Sequence, residues 1–496
     1  MSGLDIPETV PVGDVAEFSD TVDVLVIGAG MGGCCAALEA ARAGASVLVL
    51  ERSAAAGGTS CMAGGHFYLG GGTAVQRATG HADDADEMAK YLTAVSRDPE
   101  PEKIAAYCAD SVEHFDWLES LGFEFERSYY PAKAVIQPQT QGLMYTGNEQ
   151  VWPYRELATP APRGHKVPVP GDTGGAGLVI GLLVDRLTEL GVQIRYETGG
   201  RQLIVDGDRV VGVQWRDASG RTGAIAAATV VIAAGGFVMN PEMVAEYTPQ
   251  LASKPFTLGS TYDDGLGIRL GASVGAELKH MDQAFITAPV YPPSILLTGL
   301  VVNADGRRFV AEDSYHSRTS GFVMDQPGAK AFLIVDESHL ERPEFPLCPF
   351  IDGWETIDEM ADGLGIDRTT LQATMDRYNT YAARGEDPDF HKSPEYLAPQ
   401  DTGPWAAFDM TLGKALYAGF TVGGMATTVD GQVQRPGGEV IEGLYAAGAC
   451  AANIAQDGKG YASGTQLGEG SYFGRRAGRH AAAVAGHVAT AVTTGE

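Results

Sequence analysis

Val24-Leu25-Val26-Ile27-Gly28-Ala29-Gly30-Met31-Gly32-Gly33 is an apolar run that empties directly into a G-x-G-x-x-G turn. A helical stretch follows to about Ala43, and a second apolar run, Val47-Leu48-Val49-Leu50, ends on Glu51. The order predicts strand, tight turn, helix and strand. Gly28 permits the turn, Gly30 lets the backbone approach a pyrophosphate, and Gly33 lets the helix lie close to the strand. Met31 begins the helix, whose free N–H groups face the phosphates. Glu51, at the tip of the second strand, is placed to accept hydrogen bonds from ribose hydroxyls. A bare G-x-G-x-x-G says little, but here every flanking part falls in place. The unit binds an adenine dinucleotide.

The residues after Glu51 select which one. Glu51-Arg52-Ser53 runs into Gly57-Gly58-Thr59-Ser60, which resembles the glycine-rich loop that holds the cofactor in flavoproteins of the glutathione-reductase type. Thr229-Val230-Val231-Ile232-Ala233-Ala234-Gly235-Gly236 has the form of the returning strand and turn of that domain. Gly443-Leu444-Tyr445-Ala446-Ala447-Gly448 resembles its last strand, where the chain passes the ribityl and flavin. Asp263-Asp264-Gly265 stands at a predicted helix start, with Asp264 as a further cofactor contact. The cofactor implied is FAD. Gly174-Gly175-Ala176-Gly177 also opens a helix, but it follows a proline-rich loop and lacks the third glycine spacing. No second domain for NAD(P) is visible, so electrons should enter or leave through the substrate and an external carrier.

A 496-residue chain with 44% hydrophobic residues can bury a large core in two or three domains. Its net charge of −28 argues against nucleic acid and anionic membrane surfaces as partners. Cys34, Cys35, Cys61, Cys108, Cys348 and Cys450 form no C-x-x-C pair and no metal spacing, which suits reduced thiols in a cytoplasm. No metal site is expected. The acidic N-terminal stretch carries no apolar signal segment. Phe473 to Val492 is alanine-rich and helical, but Arg475, Arg476, Arg479 and His480 exclude a membrane span.

Further helices are predicted over Ala85–Ser96, Glu102–Leu121, 177–190, 355–363 and 368–383, with strands at 192–197, 202–206, 209–216 and 229–234. Tyr129 to Thr173 reads as a long loop rich in proline and aromatic residues, of the kind that covers a cofactor. The fold class is α/β: a split Rossmann-like FAD-binding domain of the glutathione-reductase type, carrying an inserted α+β capping domain. The expected units are 1–280 and 421–496 for the FAD domain and 281–420 for the cap.

Over nearly its whole length this order of motifs is similar to the fumarate reductase and succinate dehydrogenase flavoprotein superfamily. Val301-Val302-Asn303-Ala304-Asp305-Gly306-Arg307-Arg308-Phe309-Val310 resembles the strand pair of its capping domain, and Phe473-Gly474-Arg475-Arg476-Ala477-Gly478 its closing helix. The departures carry the most information. The family's H-T-x-G-G is here Phe420-Thr421-Val422-Gly423-Gly424, so the histidine is a phenylalanine. Its arginine in the turn before the closing helix falls on Tyr461. Its third cation falls near Tyr315-His316, with Arg318 close by in a shifted alignment. Burying a dicarboxylate without paired cations costs several kcal/mol per charge, so a neutral substrate is expected. The R-S-H-T of the covalently flavinylated members is Gly58-Thr59-Ser60-Cys61 here, which implies noncovalent FAD.

Gly458-Lys459-Gly460-Tyr461-Ala462-Ser463-Gly464-Thr465-Gln466-Leu467-Gly468 most resembles the 3-ketosteroid Δ4-(5α)-dehydrogenases of that superfamily. The resemblance implies oxidation of a saturated 3-keto-5α-steroid to the 4-ene-3-one, by proton removal at C4 and hydride transfer from C5 to flavin N5. It gives Tyr461 the C3 oxygen, Ser463 the C4 proton and Tyr315 its relay outward. Gln466 and Leu467 would set their amides against flavin N1 and O2. Plainer readings stand beside these. Tyr461 could only shield the flavin, Ser463 could cap the closing helix, and His316 could carry the proton instead of Tyr315. A Δ1-ketosteroid dehydrogenase, an enoate reductase of the fumarate type and a non-catalytic redox flavoprotein are the competing functions.

Overall fold

The computed structural model describes residues 5–494 apart from 136, 138, 172, 253–255, 288–290, 292 and 344–346. At its centre Asp20–Ile27 lies between Val47–Leu50 and Thr222–Ile232, all parallel, with Val24 opposite Val47 and Ile232 opposite Ile27. Gln193–Arg195 extends this sheet beyond Val47–Leu50, and Val440–Ala446 joins on the other side of Thr222–Ile232. Val24, Val26, Val49 and Val231 are buried toward one face, and Leu25, Leu48, Leu50 and Val230 toward the other. A parallel sheet covered on both faces explains why these strands read as unbroken apolar runs rather than alternating ones.

Thr222–Ile232 joins the parallel and antiparallel parts of one nine-stranded sheet. Its second half belongs to the parallel sheet, whereas Thr222–Ala226 pairs antiparallel with Arg209–Asp217, which pairs in turn with Thr198–Asp206. Helix Met31–Arg42 covers one face of the parallel sheet and is itself covered by the closing helix Thr465–Thr494. The two helices touch backbone to backbone. A Cβ at Gly478 would stand 2.1 Å from the Ala36 carbonyl oxygen, and one at Gly474 would stand 2.5 Å from that of Gly32.

Residues 300–409 build a separate antiparallel sheet, in the order Leu300–Asn303, Ala331–Asp336, Trp405–Asp409 and Phe350–Trp354. Helices Ile357–Leu364 and Arg368–Ala382 close one face of it over Leu300, Val302, Phe332, Met360, Leu371 and Met375. Between this layer and the parallel sheet lies a small sheet of Phe256–Thr257, Ala418–Thr421 and Ala284–Thr287.

Several boundaries differ from the sequence expectation. The stretch expected as one helix over Glu102–Leu121 is two, Pro101–Ala109 and Ser111–Ser120, broken at Asp110. The closing helix begins at Thr465, well ahead of the alanine-rich stretch from Phe473 and one residue after the start that a cap at Ser463 would set. The loop from Tyr129 to Thr173 contains two short strands, Leu143–Met144 and Gly164–Lys166, which pair with each other, and the second also pairs with His66–Tyr68. Segments of two or three residues carry no readable period, so neither strand could be read from the sequence. Among the described residues no helix is long and apolar enough to cross a membrane.

Candidate active site

One cavity of about 860 Å³ runs from the G-x-G-x-x-G turn to Tyr461, near the top of the roughly 300–1,000 Å³ usual for small-molecule sites. Every cofactor residue expected from the sequence lines it except Gly33. Gly33 acts in packing: a Cβ there would stand 1.9 Å from the Gly28 carbonyl oxygen. Gly28 has φ +102°, and a Cβ would come within 2.3 Å of the Ala233 carbonyl oxygen. Gly30 is different, because its Cβ would meet nothing nearer than Ser60 Oγ at 3.6 Å. No protein neighbour demands a glycine there; the open space belongs to the cavity, as a cradle for pyrophosphate requires. Gly30 is also the N-cap of its helix and supplies no side-chain cap, which leaves helix amides for an anion.

Glu51 is buried, and its carboxylate accepts from the Ala29 amide at 2.8 Å and the Ser53 amide at 2.7 Å. Each carboxylate oxygen keeps a further lone pair. Arg52 is held by Asp264 at 2.6 Å and lies over the Tyr262 ring at 4.4 Å. Asp263, which sequence reasoning passed over in favour of its neighbour, lines the same cavity and accepts from the Thr59 hydroxyl. Burial pushes its carboxyl up to about 6. Nothing local could have paired Thr59 with a residue 204 positions away.

At the other end, Tyr461 packs its ring against Phe285 at 4.8 Å and Phe420 at 5.7 Å. Burial raises its hydroxyl well above the ordinary tyrosine range, although the backbone N–H of Gln466 faces it and works the other way. The hydroxyl is therefore a proton donor at neutral pH. Gln466 and Leu467, expected to set their amides against the flavin, both line the cavity beside Tyr461. Ser463 lines the cavity and its hydroxyl pairs with that of Tyr315, which sits behind it and is buried. The former loop clamps both residues. Thr146 accepts from the Ser463 amide at 2.8 Å, and Asn148 Oδ1 from the Tyr315 amide at 3.0 Å. Ser463 stands one residue too early to cap the closing helix. That position belongs to Gly464, whose φ of +97° and closeness to the backbone of Phe67 and Tyr68 exclude a side chain.

His316, the alternative carrier, lines the cavity with Nδ1 bonded to the Thr287 hydroxyl. Burial, with Lys133 nearby, pushes it down to about 3, so it stays neutral and accepts a proton poorly. Arg318 is turned away: it donates to the Tyr154 hydroxyl at 2.6 Å and lies over the Tyr154 and Phe322 rings. Among the described residues lining the cavity, the one lysine or arginine is Arg52, already paired with Asp264.

Comparison with known proteins agrees with this geometry. A family model described as an FAD binding domain matches residues 23–467. The chain is 30% identical to 3-oxo-5-alpha-steroid 4-dehydrogenase of Comamonas testosteroni, over 89% of this chain and 96% of that protein. It is 27% identical to vinyl phenol reductase of Lactiplantibacillus plantarum, over 93% and 97% of the two chains. Among solved structures, 3-ketosteroid-delta4-(5alpha)-dehydrogenase from Rhodococcus jostii RHA1, in complex with 4-androstene-3,17-dione, superposes with a TM-score of 0.89. That alignment is 37% identical and covers 96% of this chain and 99% of the other. With its mixed α/β architecture and a cavity shaped for a dinucleotide, the chain belongs to the FAD binding domain family, as an FAD-dependent oxidoreductase of the fumarate reductase and ketosteroid dehydrogenase group.

Proposed function

We propose that this protein oxidises a saturated 3-keto-5α-steroid to the 4-ene-3-one. The observation that carries the reading is the cavity wall around Tyr461. It offers phenolic and alcoholic hydroxyls set among phenylalanines and, among the described residues, no free cation. A dicarboxylate would be buried there unpaired, at several kcal/mol per charge, whereas a flat apolar ketone meets matching surface. The likeness to two enzymes named for this reaction supports the same substrate class.

The residues fit the chemistry. Tyr461, protonated and buried, donates to the C3 oxygen, where charge grows as the C4 proton leaves; such donors act most strongly in a dry site. Ser463 takes the C4 proton as its own passes to Tyr315, the hydroxyl it already faces, and Tyr315 releases its phenolic proton outward. FAD, when bound, supplies the two-electron acceptor for the hydride equivalent leaving C5. Gly28, Gly30, Glu51, Ser60, Gly235 and Gly448 would hold it, and with Ser60 where the covalent members carry their histidine we expect it noncovalent. Residues 281–420 would act as a capping unit inserted between 1–280 and 421–496, which their separate sheet and helical layer support. Electrons then pass to an external acceptor.

The test is anaerobic bleaching of the flavin with 5α-androstane-type 3-ketones and identification of the product. Bleaching with formation of the 4-ene is expected. A 1-ene product, or bleaching only in the reverse direction, would give the protein to another branch. No bleaching with any 3-ketosteroid would remove it from this class.

A further inference from the structure

The strand that carries Phe420 alternates with unusual clarity beyond its own ends. Leu416, Ala418 and Phe420 line the cavity, while Tyr417 and Gly419 between them are buried on the opposite side. The neighbouring parallel strand repeats the pattern, with Phe256 and Leu258 lining the cavity and Phe256 registered on Ala418. Successive side chains of a strand point to opposite faces, so these five residues form one apolar face. Its inner end touches the chemistry: Leu258 and Phe420 pack into the cluster of Phe285, Tyr315 and Tyr461.

Exposure rises steadily along this face. Tyr461 is 6% exposed, Ala418 and Phe420 are intermediate, and at the outer end Leu416 is 53% and Phe256 59% exposed. The outer end is also held in place. The Leu416 amide donates to the Leu347 carbonyl at 2.7 Å, and the Phe256 amide to the Tyr417 carbonyl at 2.6 Å. From Phe420 to Leu416 the rail runs about 13 Å, at roughly 3.3 Å per residue. Single exposed apolar side chains need no explanation, but a pair that continues a cavity wall out to solvent does.

We propose that the substrate carries an apolar chain at the end of its ring system remote from the ketone, and that Phe256 and Leu416 select for it. The proposal rests on the ketosteroid reading of the inner site and adds the substrate's far end to it. With the ketone at Tyr461, the fused rings lie along Leu258, Ala418 and Phe420, and a C17 alkyl chain reaches the two exposed residues. Each methylene covered there is worth about fourfold in binding.

The experiment compares two 5α-3-ketosteroids, one with an eight-carbon alkyl chain at C17 and one with a C17 ketone. For each, kcat/KM is measured in the FAD-loaded wild type and in the Phe256→Ser, Leu416→Ser double variant. The expected result is a preference for the alkyl substrate of at least tenfold in the wild type, falling to within about threefold of unity in the variant. Flavin content and absorbance spectrum report that the variant is folded; if it is not, Leu416→Ser alone is measured for the same fall in ratio. A wild type that prefers the C17 ketone, or a ratio that the substitutions leave untouched, overturns the proposal while the ketosteroid reading stands. An untouched ratio with loss of binding to phosphatidylcholine vesicles would assign the two residues to a membrane surface instead. Failure of both steroids to reduce the flavin overturns both readings together.

Discussion

The side-chain hydroxyls of Tyr315 and Ser463 face each other across 148 positions of sequence. Each is fixed through its own backbone amide by the segment 146–148. A serine alone is a weak base, and a tyrosine alone beside it would be a buried phenol. Bonded, they suit the proton path proposed above, from Ser463 to Tyr315. Such a pair should behave as one unit. Ser463→Ala and Tyr315→Phe should each slow flavin reduction by about 10²–10⁴, and the double variant should lose little beyond the worse single one. Full additivity of the two effects in stopped-flow reduction would show that they act separately.

Tyr461→Phe isolates the donor, since the ring contacts with Phe285 and Phe420 survive. Turnover should fall by about 10²–10³, or about 2.7–4 kcal/mol, with flavin content unchanged and steroid binding affected far less. A loss under about tenfold would leave Tyr461 only the task of covering the flavin.

Glu51→Ala should weaken FAD retention by roughly 10–150-fold, the worth of a charged hydrogen bond of about 1.5–3 kcal/mol. The structure adds that the Ala29 and Ser53 amides also lose their acceptor. Glu51→Gln, which keeps an acceptor, should fall between the two. Recovery of flavin fluorescence on dilution measures the ranking, and an alanine variant that retains FAD as the wild type does would break it.

Acid precipitation should release all of the yellow colour into the supernatant. The covalent members' histidine position holds Ser60, and among the described residues the histidines lining the cavity are His66 and His316. Flavin left in the pellet, with its attachment mapped to either ring, would refute this.

Glu469 lies buried in the first turns of the closing helix and accepts from the Ile454 and Ala455 amides at 2.8 and 2.9 Å. Burial pushes its carboxyl from 4.5 up to about 7. Between those values the folded state holds the proton more tightly than the unfolded chain, so stability from this group falls as pH rises from about 4.5 to about 7. Glu469→Gln keeps an acceptor and cannot ionise. Relative to wild type it should therefore gain stability at pH 8 over pH 5, by up to about 3 kcal/mol. Urea unfolding at the two pH values checks the sign, and an equal difference at both would dismiss the group.

Much of this was legible without coordinates. The unit from Val24 to Glu51 could be read because its parts are neighbours in the chain: an unbroken apolar run, glycines at fixed spacing, and an acid at the next strand end. Local sterics and a parallel sheet buried on both faces write themselves into adjacent residues. The same holds for helices such as Ala176–Glu189 and Arg368–Ala382. Family likeness in the stretch 458–468 brought Tyr461 and Ser463 into view, and their neighbours' identities argued for a neutral substrate.

Tertiary structure alone decided what those residues meet. Whether Arg318 or Tyr315 faced the site was open in the sequence, because the two stand three positions apart; folding turned Arg318 onto Tyr154 and Tyr315 onto Ser463. His316 looked as fit a proton carrier as Tyr315 until burial held it neutral. The union of Thr59 with Asp263 and the apolar face shared by Phe256 and Leu416 likewise join segments far apart in the chain. Short-range periodicity reports which side of an element is buried, but the partner waiting on that side is set by how the layers close over one another.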